Sequence, residues 1–153
     1  MIIGEEIKMM KFIKYIVLAL VLAATTTTAE AKRVKVPHVY MFGFSASFID
    51  STLYITDIQD VENVWYDTKN DFLLARDSYS SQLKDYVTEK KGQANRVCLV
   101  MFATSKKKAE KKYEKLKKKY ADRNGVIAGL QYLTSSDFKF NAVDMSDSDL
   151  ESE

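Results

Sequence analysis

Two apolar patterns meet in residues 96–120. The first is an unbroken run, VCLVMFA at residues 97–103, which has the length of a strand and is partly β-branched, as in strands buried on both faces. The second begins after Thr104 and Ser105, either of which can cap a helix. It consists of apolar residues at helical spacing in an otherwise charged segment: Ala109, Tyr113, Leu116 and Tyr120. The pattern therefore predicts a buried strand that leads into an amphipathic helix.

The preceding segment predicts a β-hairpin. Residues 38–48 are rich in β-forming side chains, and Gly43 within them marks a bulge or a close approach of the backbone. Residues 52–58 alternate apolar and polar positions, as a half-buried strand does. Residues 58–66 fit either a short helical turn or a bulged continuation of that strand.

Another helix and a last strand complete the predicted domain. A helical stripe runs through residues 72–87, and Gly92 ends it. Residues 126–133 form the next apolar segment, so that residues 97–133 make a βαβ unit. The order ββαβαβ, with a short extra strand in residues 138–143, predicts an α+β fold. We expect a two-layer α/β sandwich with a mixed sheet of four to five strands and two packed helices.

Residues 1–31 have the three parts of a secretory signal peptide. Lys11 and Lys14 form a basic start, residues 15–24 form a short apolar centre, and Ala29-Glu30-Ala31 is an A-x-A cleavage site. The apolar centre is about half the roughly 20 residues that a membrane-spanning helix needs. The sequence therefore predicts a cleaved signal peptide and not a retained anchor.

Cleavage near Ala31 divides the chain into three parts. These are a signal peptide, residues 1–31, a single globular α/β domain, residues 32–143, and an acidic tail, residues 144–153, which is predicted to be disordered. The sequence leaves open whether translation starts at Met1, Met9 or Met10.

Cysteine content indicates the compartment. Cys98 is the one cysteine of the chain, so no intramolecular disulfide can form, and its apolar surroundings favour a small buried side chain over a reactive thiol. An exported chain without disulfides must be held together by its core, as is common in bacterial envelope proteins. We expect a periplasmic or secreted protein of a bacterium.

A lysine-rich helix is the first candidate binding site. The formal net charge of the chain is only +2, so no specific nucleic-acid binding is expected. The helix after Ser105, however, holds nine lysines and two glutamates, and lysines in its first turn oppose the helix dipole, a conflict that a bound anion would relieve. The residues assigned to this site are Lys106, Lys107, Lys108, Lys111, Lys115 and Lys118. The alternative is a solvated face whose charge is balanced by the acidic tail and by the carboxylates of residues 50–71.

Aromatic residues offer a second candidate. Trp65 and Tyr66, if exposed, would form a platform on which a sugar ring stacks, and for an exported protein this indicates glycan or peptidoglycan binding. The alternative is that both rings belong to the core.

Catalytic chemistry has little support in the sequence. His38 is the one histidine, the carboxylates of residues 50–71 are irregularly spaced, and no nucleophile, metal or phosphate-loop signature occurs. An enzyme would require His38 to converge in a pocket with Asp50, Asp57 and Asp60. We therefore predict no catalytic residue, no metal site, no cofactor and no enzymatic activity.

Residues 97–116 also carry a resemblance to a known family. A strand followed by Ser-Lys-Lys-Lys-Ala-Glu and a helix that ends on a leucine is similar to the first strand–helix half of SPOR domains, which bind the glycan strands of peptidoglycan. The second strand–helix half of that family should follow, but residues 125–143 supply no second helix. The resemblance implies peptidoglycan as one alternative ligand.

Two classes of function remain. In the first, the protein is a structural or interaction module whose partner is another envelope protein, and the lysines serve solubility. In the second, it binds an anionic or glycan ligand of the envelope, such as lipopolysaccharide, peptidoglycan or an anionic lipid surface, through the lysine helix or the Trp65-Tyr66 region.

Overall fold

The computed structural model describes residues 2–23 and 33–146. The chain forms two compact units, Met1–Glu30 and Ala31–Glu153, and the first contains helix α1, Ile2–Ala23. The predicted cleavage site at Ala31 lies outside the described residues, so the signal peptide stays a prediction. Within the described ranges, no helix combines the length and the hydropathy needed to cross a membrane.

The second unit has an α+β fold with a mixed six-stranded sheet, which confirms the predicted fold class. Its elements in chain order are β1 Arg33–Ala46, β2 Leu53–Thr56, β3 Gln59–Asp67, β4 Phe72–Leu73, α2 Arg76–Lys91, β5 Val97–Ala103, α3 Lys106–Tyr120 and β6 Leu130–Leu133. The predicted order ββαβαβ is wrong because four strands, not two, precede α2. The segment 58–66 is mostly strand β3, and the positive φ of Asn63 (55°) interrupts its regularity.

Strand β1 lies in the middle of the sheet. Phe44 and Ser45 pair with β2 as well as with β5, and Tyr40 and Met41 pair with β3 as well as with β5. Strands β2 and β3 therefore follow one another along one edge of β1, and β5 occupies the opposite edge. Strand β6 pairs with β2 in parallel, and β4 forms a hairpin with β3.

The two helices cover opposite faces of the sheet, so the domain has three layers and not the two that were predicted. Alternate residues of β1 point to opposite faces. Residues on the α2 side form one core cluster, which includes Val39, Met41, Tyr79, Leu83, Val87 and Val100. Residues on the α3 side form the other, which includes Phe42, Phe44, Ile55, Met101, Tyr113 and Leu116.

Local signals set the helix ends. The C-cap of α2 is Gly92, whose φ of 63° suits glycine and whose N–H donates to the Val87 carbonyl, as the sequence predicts. Helix α2 begins at Arg76 and not at residue 72, because Phe72 and Leu73 pair with β3 as strand β4. The N-cap of α3 is Ser105, whose hydroxyl accepts the Lys108 N–H at 3.3 Å.

Strand β5 has the predicted bounds but not the predicted burial. Val97 and Leu99 are 44% and 47% exposed, whereas Val100 is fully buried. The reason is the position of α3, whose Tyr113 and Tyr120 rings pack against Phe42 and Phe44 of β1 and leave the start of β5 uncovered.

The outer edge of β5 pairs with no other described strand, but two of its carbonyls are bound by side chains. Arg76 Nε donates to the Val100 carbonyl at 3.1 Å, and Lys112 Nζ donates to the Phe102 carbonyl at 2.6 Å. Cationic side chains at an edge of this kind hinder pairing with a further strand.

The end of the domain also differs from its prediction. No strand forms over residues 138–143, although Phe138 and Phe140 are buried in the α2-side cluster. Asp144, the first residue of the predicted tail, accepts a hydrogen bond from Trp65 Nε1 at 3.3 Å and lies 3.8 Å from Lys35 Nζ. The tail residues 147–153 lie outside the described residues.

A buried arginine ties β5 to the turn after β1. The Arg96 side chain is 1% exposed; its Nε donates to Ser45 Oγ at 3.1 Å, one of its terminal nitrogens lies 3.0 Å from Asp50, and the other donates to the Thr52 carbonyl. Its guanidinium also lies 5.1 Å from the centre of the Tyr54 ring. The hydrogen bond and charge of Arg96 hold the pKa of Asp50 below its usual value.

Candidate functional site

The outer side of α3 carries the candidate site. Ala109 is fully buried and Tyr113 and Leu116 pack on the sheet, so the helix turns its opposite side to solvent. The lysines assigned to ligand binding are all exposed: Lys106, Lys107, Lys108, Lys111, Lys115 and Lys118. We call these six residues the lysine face.

The other lysines of α3 contact neighbouring groups. Lys112 binds the Phe102 carbonyl and lies 5.1 Å from the Phe102 ring centre. Lys117 lies 3.5 Å from Glu114 and 5.4 Å from the Tyr113 ring centre. In contrast, no carboxylate of the described residues lies within 4.0 Å of a lysine-face nitrogen. The lysine face is therefore available to an external anion.

The surface around these lysines is open and mixed in charge. Lys107, Lys111, Lys115 and Lys118 line a shallow cleft of about 490 Å³ together with Glu110 and Glu114. A shallow cleft lined by long, mobile side chains suits an extended polyanion or a charged surface and lacks the enclosure of a small-molecule site.

The carboxylates of residues 50–71 do not balance this charge locally. Five of the six bond a group outside α3: Asp50 to Arg96, Asp57 to Ser135, Asp60 to His38, Asp67 to Asn70, and Asp71 to Tyr66. Hydrogen bonds from Asn70 hold the pKa of Asp67 below its usual value. None of these five bonds reaches a lysine of α3, so direct ion pairs do not support the interpretation in which the same carboxylates neutralise α3.

Trp65 and Tyr66 do not form a joint platform. Tyr66 is 2% exposed, belongs to the α2-side cluster and donates a hydrogen bond to Asp71 at 2.6 Å, and burial raises the pKa of its phenol. Trp65 is half-buried, with Lys35 Nζ 5.4 Å from its ring centre and Asp144 at its indole nitrogen. Trp65 is therefore the one ring of the pair that solvent reaches, and Lys35 and Asp144 contact it.

The groups that an enzyme would need are dispersed. His38 Nδ1 pairs with Asp60 at 2.9 Å on the surface, whereas Asp50 and Asp57 bond Arg96 and Ser135. Burial raises the pKa of the Cys98 thiol, which lies 3.4 Å from Ser45 Oγ. No group of three or more potential metal ligands occurs among the residues that the structure describes.

Two surface features escaped the sequence analysis. An open groove of about 1030 Å³ lies between α2 and the start of β5, and its lining includes Arg76, Lys84 and Cys98. Phe48 and Ile49 project from the turn after β1 and are 97% and 83% exposed. The apolar pattern places Phe48 at the end of the predicted strand 38–48. The pattern alone does not distinguish the last residue of a strand from the first residue of the turn that follows.

Comparisons with protein-family models, with curated proteins and with solved structures found no match to this chain.

Proposed function

We propose that this protein is a small exported protein of the bacterial envelope that acts without catalysis, by binding an anionic ligand through the lysine face. The observation that carries the proposal is the set of six exposed lysines on one helix, none of them within ion-pair distance of a carboxylate of the described residues. The envelope location rests on the signal-peptide pattern of residues 1–31.

Charge placement explains why an anion would bind here. The first turn of α3 contains Lys106, Lys107 and Lys108 and no acidic residue, so the positive end of the helix dipole adds to three positive side chains. Phosphate or carboxylate groups at this surface would interact favourably with the lysine side chains and with the N-terminal end of the helix dipole. Lysine acts as a hydrated point charge, which suits a dense array of anions better than one geometrically defined ligand.

Retention on a polyanion column tests the proposal. We expect the full chain to bind immobilised heparin at low salt and to elute at moderate salt, because counterion release makes such binding salt-dependent. Replacing Lys107, Lys111, Lys115 and Lys118 with glutamate should abolish retention, as each change converts an attractive charge into a repulsive one.

A matched variant separates the effect of the lysine face on retention from the effect of net charge. Replacing the exposed lysines Lys84, Lys90, Lys91 and Lys139 with glutamate gives the same net charge while leaving α3 intact. This control should stay on the column. Equal loss of retention in both variants would show that net charge, and not the lysine face, determines binding.

Export has its own prediction. A bacterium that expresses the full chain should release into its periplasm or medium a protein whose first residue is Lys32, as measured by N-terminal sequencing and intact mass. An unprocessed chain found only in the cytoplasmic fraction would contradict the proposed location.

A structural or interaction role with a protein partner is the second candidate, and the exposed Phe48 and Ile49 favour it. Under that role the lysines serve solubility. Binding to envelope material that is indifferent to the four lysine replacements would favour this candidate.

A further inference from the structure

The turn between β1 and β2 presents apolar side chains from an anchored backbone. Phe48 and Ile49 are 97% and 83% exposed. The Ile49 N–H donates to Ser47 Oγ at 3.2 Å, and Asp50, the next residue, lies 3.0 Å from the buried Arg96. Because Asp50 is held by Arg96, the turn stays in place and its two apolar side chains point into solvent.

Phe48 continues into a larger exposed surface, and Ile49 follows it in the same turn. Phe48 shares a cleft of about 160 Å³ with Val97, Leu99 and Tyr120. We call the exposed set Phe48, Ile49, Val97, Leu99 and Tyr120 the apolar patch. Contiguous apolar surface of this kind marks an interaction site when polar residues border it.

Lysines of α3 border the apolar patch. Tyr120 is the last residue of α3, and Lys119 Nζ lies 5.8 Å from the centre of its ring. Lys118, of the lysine face, is two residues away. Asp50, the carboxylate of the turn, is paired with Arg96 and so leaves little uncompensated negative charge beside Phe48.

We propose that the anionic ligand is the surface of a lipid bilayer, into which the apolar patch inserts while lysines of α3 contact anionic headgroups. The inference rests on the proposed function, because it names the ligand of the lysine face. Large apolar side chains beside lysines are the combination that holds a protein in a membrane interface, where burial and charge both contribute. A soluble polyanion would use the lysines and leave Phe48 and Ile49 exposed.

Co-sedimentation with vesicles tests the inference. The full chain should bind vesicles of mixed phosphatidylglycerol and phosphatidylcholine and bind pure phosphatidylcholine vesicles more weakly. Replacing Phe48 and Ile49 with serine should lower the partition coefficient on the mixed vesicles at least about tenfold, given the free energy of burying one large apolar side chain. Val126→Ser removes an exposed apolar side chain outside the apolar patch and should change it little.

A fluorescent reporter locates the contact independently of α1, which every variant retains. In a Cys98→Ser background, an environment-sensitive dye on Ile49→Cys should shift to shorter wavelength when mixed vesicles are added. The same dye on Thr88→Cys, an exposed position of α2 on the opposite side of the sheet, should not shift.

The outcomes separate this inference from the proposed function. Heparin retention without vesicle binding, equal partition of the Phe48/Ile49 variant and the unchanged chain, or a dye at position 49 that stays in water would each overturn the membrane inference and leave polyanion binding in place. Failure of the unchanged chain to bind heparin would overturn the proposed function.

Discussion

Replacing Arg96 with alanine is expected to lower the free energy of unfolding by about 3 kcal/mol, because the change removes a buried side chain and leaves the buried acceptors that it bonds without a donor. The Arg96 side chain is 1% exposed, donates hydrogen bonds to Ser45 and Thr52, and forms an ion pair with Asp50. The Asp50 side chain is 35% exposed, so water reaches its carboxylate in the variant, and the loss should come mainly from the buried Ser45 hydroxyl and the Thr52 carbonyl. Urea unfolding followed by circular dichroism measures the change.

Two further variants show what the guanidinium contributes. Arg123→Ala removes an exposed arginine from a turn and should change the free energy of unfolding by less than about 0.5 kcal/mol. Arg96→Lys keeps the positive charge but loses the several N–H donors of the guanidinium, so we expect a loss of unfolding free energy between those of the two alanine variants. If Arg96→Ala unfolds at the same urea concentration as the unchanged chain, the buried arginine does not hold β5 to the turn.

Replacing Gly43 with alanine is expected to cost about 2 kcal/mol, because overpacking a filled core forces side chains out of their rotamers. A Cβ atom at Gly43 would lie 2.5 Å from Leu83 Cδ2 and 3.1 Å from Phe140 Cζ. Leu83 is fully buried, so it has little room to move. The close approach is one of the two alternatives that the sequence offered for this glycine.

A double-mutant cycle with Leu83→Ala tests the stated cause. Leu83→Ala alone should cost about 2–5 kcal/mol through the cavity it leaves. In the double variant the new methyl group at residue 43 no longer meets Leu83 Cδ2, so the combined loss should be smaller than the sum of the two single losses. Strict additivity would show that Gly43 is required for a reason other than its contact with Leu83.

Local signals explain what the sequence could predict of the fold. The bounds of β5 and α3 follow from an apolar run, a serine cap and a charged helix, all of which act within a few residues. Which face each helix covers depends on pairing between distant strands, and the alternation of β1 fits a helix on either side. The apolar run of β5 could not show that the strand lies at the edge of the sheet, because that depends on strand pairing. Nor could it show that Val97 and Leu99 are exposed, because that depends on where α3 packs.

The candidate site divides in the same way. The exposure of the lysine face follows from the helical spacing of Ala109, Tyr113 and Leu116, which fixes the opposite side of α3. The separation of Trp65 from Tyr66 follows from the alternation of side chains along β3, and the sequence left residues 58–66 open between a helical turn and a strand. Phe48 and Ile49 were missed because apolar content alone does not tell whether a residue is covered.

The cationic side chains on the border of the sheet have a consequence for solubility. Strand β5 contains no charged residue and lies at the edge of the sheet that the described strands form, which is the arrangement that templates fibril growth. Arg76 and Lys112 occupy the carbonyls of Val100 and Phe102 that an incoming chain would need. Variants that lose both side chains would therefore expose a site for self-association, and an engineered form of this protein should retain them.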